Sequence, residues 1–233
     1  MAPHRILLKP PIPPDGTLLI EDEQAHHALR VKRLTPGEQI ELLDGSGGLA
    51  DARFVDAGGS GRRPSIRIEV LRCRRVEPPA PSVHLACPAP EGNRLSRMVD
   101  ALCQVGTAEW SPLVAARSQR PPARGDRLER RVIESCRQCG RAWFMRIGEA
   151  RTLTDALKAP GVVLADAGGE LYRATGANEI SLLIGPEGGF TDAELDAARV
   201  AGARIVSFGP HAMRIETAAP VAAAIVLDAE RRC

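Results

Sequence analysis

The stretch LLIGPEGGFTDAEL, residues 182–195, joins a short apolar run to a glycine-rich turn and then to the start of a helix. Thr191 and Glu194 have the spacing of a capping box, which predicts that the helix begins just after Phe190. Such turns often hold phosphates, but this one carries Glu187 and lacks the lysine of a phosphate-binding loop. Its glycines still let the backbone approach a ligand closely. The turn therefore favours a neutral or cationic ligand. The alternative is a tight turn with a surface glutamate.

A second polar stretch, PHAMRIETAAP (residues 210–220), follows the next predicted strand, RIVSFG. It places Arg214 and Glu216 directly before Thr217, which we expect to be the N-cap of the last helix. The first loop (residues 185–190) and the second loop (residues 209–217) come after consecutive strands. We therefore expect them to lie side by side at one edge of a sheet and to line one pocket. Alternatively, Arg214 and Glu216 form an exposed ion pair that contributes little to stability.

The rest of the chain divides into two parts at a proline-rich segment. Residues 1–76 contain the short β-rich segments RILLKP, GTLLI, EQIELLDG, LADARFVDAG and SIRIEVLRC and one helical segment, which predicts a small β-barrel. Residues 77–82 are proline-rich and read as a linker. In residues 83–233 strands such as SVHLAC, GVVLADAGG and ISLLIG alternate with helices, which predicts an α/β domain with a mostly parallel sheet.

Composition narrows the classes of function. Of the 233 residues, 44% are apolar and 26% are charged, as in a soluble globular protein. No apolar run has the length of a membrane span, and the N-terminus lacks the pattern of a secretory signal. Between residues 94 and 151 there are twelve arginines and six acidic residues, which indicates either a face that meets a polyanion or a solvated surface of arginine-rich helices. An aromatic content of 3% argues against stacking of many bases.

Cysteine and histidine spacing does not predict a metal site or a disulfide framework. The six cysteines are scattered, so reduced thiols and a cytoplasmic location are expected. Cys136 and Cys139 lack a second ligand pair for zinc, and they share one face of a helix, where packing is the better interpretation. His26 and His27 lack convergent partners, so a role in the barrel or in RNA contact is favoured over a metal.

Several stretches together resemble one known family. IGPEGGFTDAEL and FGPHAMRIETAA look like the two signature loops of the SPOUT-class methyltransferases, and most of all those of the ribosomal small-subunit methyltransferase E family. Residues 26–47, HHALRVKRLTPGEQIELLDGSG, are similar to the signature of that family's PUA-like RNA-binding barrel, and RQCGR (residues 137–141) resembles its EQxGR. The matches follow in the same order over essentially the whole chain. The resemblance implies methylation of N3 of a uridine in 16S rRNA with S-adenosylmethionine.

The resemblance also implies an architecture and a set of cofactor contacts. It implies a C-terminal trefoil knot, which is a rare exception to unknotted topology, and a homodimer that acts on ribosomal RNA or the small ribosomal subunit. The cofactor carries a sulfonium cation and no phosphate, as the charge of the first loop requires. Leu164 is expected to end the strand that forms a third wall of the pocket. The implied cofactor contacts are Leu164, Leu183, Ile184, Gly185, Glu187, Gly188, Phe208, Gly209, Met213, Arg214, Ile215, Glu216, Thr217 and Ala218.

Catalytic and RNA-binding roles follow from the implied reaction. N3 of uridine must lose its proton, so we expect Arg214 to stabilise the uridine anion, and Glu216 either to act as a base or to orient Arg214. The target base must be unstacked to enter the pocket. Basic residues of the barrel and of the middle segment are candidates for contacts with the RNA backbone. They are Arg30, Lys32, Arg33, Arg117, Arg120, Arg124 and Arg141.

Four positions depart from the family's pattern. Ala101 and Gln104 replace the lysine and the glutamate of the usual KxxELG, Arg137 replaces the glutamate of EQxGR, and Ile215 replaces the threonine of RTET. These changes bear on dimer contacts and on the RNA target, whereas the cofactor loops are intact. Two other functions therefore stay open: a SPOUT enzyme that acts on another RNA or base, and an RNA-binding protein that has lost turnover.

Overall fold

The computed structural model describes residues 4–31, 33–60, 63–118 and 126–232. Contacts between Cα atoms divide the chain into two compact units. The first unit comprises Met1–Pro78 together with Cys136–Trp143, and the second comprises Pro79–Ser135 and Phe144–Cys233. The sequence did not predict that residues 136–143 group with the first unit.

The first unit is built on a five-stranded sheet with the order β1-β3-β4-β5-β2, in which β1 and β3 are parallel and the other pairs are antiparallel. In β5, Ile66, Ile68 and Val70 are buried while Arg67 between them is exposed, which is the alternation of a strand with one face on a core. The elements are β1 (His4–Leu7), β2 (Gly16–Glu21), α1 (Asp22–His26) continued by a π-helical turn (His27–Val31), β3 (Gln39–Leu43), β4 (Gly48–Ser60) and β5 (Arg63–Arg75).

The RQCGR stretch is held within the first unit by Arg5. The Arg5 guanidinium donates to Glu41 Oε2 at 2.7 Å and to the carbonyl oxygens of Arg137 and Gln138 at 3.1 and 2.8 Å. Gly140 has a φ of 79°, and a Cβ there would lie 2.6 Å from Arg5 Nη2. A glycine is therefore needed at this position of the stretch.

The second unit contains a seven-stranded sheet of parallel pairs with the order β12-β10-β11-β6-β7-β8, and β9 also pairs with β7. The predicted α/β domain with a parallel sheet is therefore confirmed. The strands are β6 (Ser82–Cys87), β7 (Glu109–Val114), β8 (Arg146–Ile147), β9 (Arg151–Thr152), β10 (Val162–Leu171), β11 (Glu179–Ile184) and β12 (Arg204–Ser207). The helices are α2 (Asn93–Val105), α3 (Asp126–Cys139), α4 (Leu153–Ala156), α5 (Asp192–Val200) and α6 (Ile215–Arg231).

Two expectations about β10 were wrong. Consecutive strands β11 and β12 are not neighbours, because β10 lies between them. Leu164 does not end β10: it is fully buried, and the strand continues to Leu171. The pairing with β12 shifts register between Ala165 and Glu170, so residues 166–169 bulge out of the ladder. The trefoil knot stays a prediction.

The start of α6 also differs from the prediction. The helix begins at Ile215, and Arg214, with an extended backbone, is the N-cap in place of Thr217. The carbonyl oxygen of Arg214 accepts hydrogen bonds from the N–H groups of Thr217 and Ala218, both at 2.8 Å. Ile215 is buried, and Pro220, which has no N–H group to donate, lies inside the helix.

Three classes of feature are absent from the described residues. No helix among them is both long and apolar enough to cross a membrane. No group of three or more histidine, cysteine or acidic side chains in this part of the chain is arranged to hold a metal ion. The five cysteines that it includes form no disulfide bond with one another.

Candidate functional site

A pocket of about 210 Å³ lies at the carboxyl ends of β11 and β12 and beside the bulge of β10. Both predicted loops line it, although their strands are not adjacent, because the bulge supplies the wall between them. The predicted residues that line the pocket are Ile184, Gly185, Glu187, Phe208, Gly209, Met213, Ile215 and Ala218. The lining residues that the sequence did not predict are Ala165, Asp166, Ala167, Pro186, Gly189, Ser207, His211, Ala212 and Ala222.

The other predicted cofactor contacts lie outside the lining of this pocket. Leu164 and Leu183 belong to the hydrophobic core of the second unit. The remaining four are Gly188, Arg214, Glu216 and Thr217. The wall of the pocket formed by residues 165–167 was not predicted, although the sequence contains a signal for it. The stretch ADAGG (residues 165–169) is too polar and glycine-rich to continue a regular buried strand.

The first loop is fixed by its own backbone and by the start of α5. The N–H of Gly189 donates to the Pro186 carbonyl at 2.8 Å, and Gly189 has a φ of 69°, which favours glycine. The predicted capping box is present: Glu194 N–H donates to Thr191 Oγ1 at 3.2 Å, and Thr191 N–H donates to Glu194 Oε2 at 2.8 Å. The Ala116 N–H also donates to Glu194, at 2.7 Å. Burial favours the neutral carboxyl, but these hydrogen bonds outweigh it and lower the pKa of Glu194.

Gly185 brings the backbone of the first loop close to a buried ring. A Cβ at this position would lie 2.9 Å from Phe190 Cε2, which is closer than a real contact allows. Phe190 belongs to the core of the second unit, so the ring cannot move without loss of packing. A glycine is therefore required here by packing rather than by a positive φ.

The second loop is supported by a buried carboxylate. Phe208 stacks on Tyr172 with ring centroids 6.0 Å apart. The Tyr172 hydroxyl donates to Glu230 Oε1 at 2.6 Å, and the same carboxylate accepts from Thr175 and from the Gly176 N–H at 2.8 Å. Burial opposes the charged form of Glu230, but these donors outweigh it and lower its pKa. Burial, the largest cause, raises the pKa of Tyr172, and its hydrogen bond to the negatively charged Glu230 carboxylate raises it further.

Arg94 joins the two loops, and sequence reasoning missed it. From the first turn of α2, its Nη1 lies 3.1 Å from Glu187 Oε1 in the first loop and 3.9 Å from Glu216 Oε2 in the second. Oε2 of Glu216 is buried and has no hydrogen-bond partner among the described residues. Glu216, which follows the pocket-lining Ile215, therefore carries a buried acceptor atom that the described residues leave unsatisfied.

Arg214 does not form the ion pair with Glu216 that we weighed as an alternative. It is exposed as the N-cap of α6, and among the described residues no side chain pairs with it or accepts a hydrogen bond from it. Its chain neighbours Met213 and Ile215 both line the pocket. The guanidinium is therefore attached at the rim of the pocket and is free to meet a ligand.

Comparison with known proteins identifies the family. Residues 77–227 match a family model described as an RNA methyltransferase domain, and residues 20–61 match one described as an RNA methyltransferase PUA domain. The ribosomal RNA small subunit methyltransferase E of Mycobacterium bovis is 32% identical over 230 residues, which cover 91% of this chain and 86% of that protein. The chain belongs to the ribosomal RNA small subunit methyltransferase E family.

Solved structures share the fold of this methyltransferase E family member. The crystal structure of a probable rRNA-methyltransferase from Porphyromonas gingivalis has a TM-score of 0.78 and 27% identity, and covers 91% of this chain and 92% of that one. The crystal structure of the methyltransferase E of Neisseria gonorrhoeae, bound to S-adenosyl methionine, has a TM-score of 0.79 and 24% identity. The match covers 97% of this chain and 96% of that one. The resemblance of the two loops and the PUA-like stretch to this family is therefore confirmed.

The basic residues predicted to bind RNA have varied surroundings in this methyltransferase E family member. Arg30 and Arg33 are exposed and Arg141 is half-buried. Arg117 donates from Nη1 to the carbonyl oxygen of Gly188, so it supports the first loop. The other three candidates, which lie outside the described residues, are Lys32, Arg120 and Arg124. RNA binding by these side chains stays a prediction.

Proposed function

We propose that this chain methylates N3 of a uridine in the 16S rRNA of the small ribosomal subunit, with S-adenosylmethionine as methyl donor. Membership of the methyltransferase E family supports the class of enzyme and of substrate. The methyltransferase E of Neisseria gonorrhoeae, which has the same fold, is bound to S-adenosyl methionine. The choice of uridine as the base and of N3 as the methylated atom is supported by the family resemblance.

The charge of the pocket is the observation that carries the proposal. Asp166 and Glu187 line it, and none of the described residues that line it is a lysine or an arginine. Such a lining repels phosphates and attracts a cation. Apolar residues such as Ile184, Phe208 and Met213 supply surface for an adenine ring and for the methionine chain. A phosphate-free sulfonium ligand fits this combination.

The proposed roles of the chain's residues follow from their positions at the rim. When bound, S-adenosylmethionine supplies an electrophilic methyl group on sulfur. Glu216 offers a buried, unsatisfied carboxylate oxygen that can accept the proton of uridine N3. Arg214 offers an unpaired guanidinium that can stabilise the charge left on the base. The two loops would hold the methyl donor, which would supply its methyl group to the base. The earlier idea that Glu216 orients Arg214 is not supported, since Glu216 lies against Arg94.

Calorimetry and a substitution test these roles. The purified protein should bind S-adenosylmethionine, and Arg214→Ala should bind it with nearly unchanged affinity, because Arg214 does not line the pocket. The rate of methyl transfer to small-subunit rRNA should fall about a hundredfold or more, in the range found when a donor to a developing anion is removed. Arg214→Lys, which keeps the charge, should recover part of the rate. Parental activity in Arg214→Ala would refute the proposed role.

The setting of the enzyme is also part of the proposal. The family resemblance supports a homodimer with a knotted C-terminal domain, and small-subunit rRNA as substrate supports a cytoplasmic location. Sedimentation of the purified protein at micromolar concentration should give the mass of two chains, twice 24.9 kDa. A single-chain mass at that concentration would refute the dimer.

A further inference from the structure

We propose that a cleft between α2 and α3 of the second unit binds the phosphodiester backbone of the RNA substrate. We call it the arginine cleft. Its volume is about 450 Å³. It is lined from α2 by Asn93, Ser96 and Arg97, and from α3 by Arg127, Arg130, Arg131 and Glu134. The inference rests on the proposed function, and it adds a place where the substrate is held.

The charges of the arginine cleft do not balance. Arg131 lies 2.8 Å from Asp100 and 3.8 Å from Glu134, so both nearby carboxylates engage the same arginine. The other three arginines, which are exposed, have no ion pair among the described residues; they are Arg97, Arg127 and Arg130. Unpaired guanidinium groups around one cleft attract an anion, and their planar forks match the geometry of a phosphate.

The N-terminus of α2 adds to the positive potential at the arginine cleft. Gly92 is its N-cap and makes no side-chain hydrogen bond, and the first turn contains no acidic residue. Asn93, the first residue of the helix, lines the cleft. The positive end of the helix dipole therefore reinforces the arginines as an anion site.

The position of the arginine cleft suits a polynucleotide whose target base enters the pocket. Asn93 lines the cleft, and the next residue, Arg94, contacts Glu187 at the pocket. One turn of helix therefore adjoins both sites. None of the described residues that line the cleft is aromatic, so it is suited to phosphates rather than to stacked bases. Binding there should be independent of base sequence and sensitive to salt.

Salt-dependent binding of a fluorescently labelled single-stranded RNA tests the arginine cleft. We expect the double variant Arg127→Ala/Arg130→Ala to bind more weakly, and the slope of log K against log salt to become shallower by about 1.4, since each lost contact with a single strand removes about 0.7. Glu134→Gln removes a carboxylate and should tighten binding, which a damaged fold would not do. Arg199→Ala is the matched control, because Arg199 is an exposed arginine of α5 that pairs with Asp196.

The outcomes separate this inference from the proposed function. If the double variant keeps the parental slope, or if Arg199→Ala loses as much affinity, the arginine cleft is not the RNA site, whatever the methylation activity. If the variants change RNA binding as expected but the parental protein transfers no methyl group, the cleft stands and the proposed function falls. Unchanged S-adenosylmethionine affinity in the double variant, by calorimetry, shows that the pocket is intact.

Discussion

Replacing Arg94 with alanine removes the cation that joins the two loops of the pocket. Its Nη1 atom is 3.1 Å from Glu187 of the first loop and 3.9 Å from Glu216 of the second. Without it, the two carboxylates that Arg94 contacts lose the positive charge between them. We expect the loops to move apart, because like charges repel and neither carboxylate has another ion pair in the described part of the chain.

The expected cost in stability is small, but the expected cost in rate is large. Side chains of Arg94 and Glu187 are 36% and 58% exposed, and an ion pair in such surroundings contributes about 0–1 kcal/mol. The free energy of unfolding should therefore fall by no more than about 1 kcal/mol. A misplacement of reacting groups by about 1 Å can lower a rate about a hundredfold. We expect a loss of about that size in kcat.

Urea unfolding and single-turnover methyl transfer at saturating RNA measure the two quantities. Arg94→Lys keeps a charge but not the fork that reaches both loops, so its rate should lie between those of the parent and Arg94→Ala. Arg199→Ala breaks an exposed ion pair remote from the pocket lining and should leave the rate unchanged. The reasoning is refuted if Arg94→Ala keeps the parental rate, or if it loses more than about 3 kcal/mol of stability.

Two further predictions concern the supports of the pocket. Glu230→Gln should lower the free energy of unfolding at neutral pH by about 1.5–3 kcal/mol, because a charged, hydrogen-bonded acceptor is lost. Since the folded-state pKa of Glu230 is below its ordinary value of 4.5, its contribution is complete above pH 4.5 and is lost as the pH falls through the lower folded value. The deficit of the variant should therefore shrink in acid, and a deficit independent of pH would contradict this account. Gly185→Ala should cost about 1–3 kcal/mol through overpacking against Phe190. Gly209→Ala, whose Cβ meets only Met213 at 3.8 Å, should cost little, and equal losses in denaturant titrations would contradict the packing argument.

The sequence predicted those parts of the second unit that local physics decides. The segment ISLLIG was predicted to be a strand of the parallel sheet, and residues 180–184 of β11 are all buried. The start of α5 was predicted correctly because a capping box needs only Thr191 and Glu194, three residues apart. The family resemblance, rather than local physics, allowed eight of the lining residues to be named.

The features that were predicted wrongly or not at all depend on contacts between residues that are distant in sequence. The position of β10 between β11 and β12 is a property of the whole sheet, so the irregular stretch ADAGG could not be placed beside the pocket from the sequence. Arg94 is 93 residues from Glu187, and no pattern of spacing predicts their contact. Thr217 was expected as the N-cap from local preference, but α6 begins two residues earlier, at Ile215, which is buried in the fold.

Mass spectrometry of the nucleosides of small-subunit rRNA, from a strain that lacks this chain, tests the central claim most directly. The account predicts that one 3-methyluridine disappears from 16S rRNA and that it returns when the parental gene is restored, but not with the Arg214→Ala variant. Loss of a different methylated nucleoside would point to another base as the target. If every 3-methyluridine of the 16S rRNA persists in the deletion strain, the proposed function is wrong.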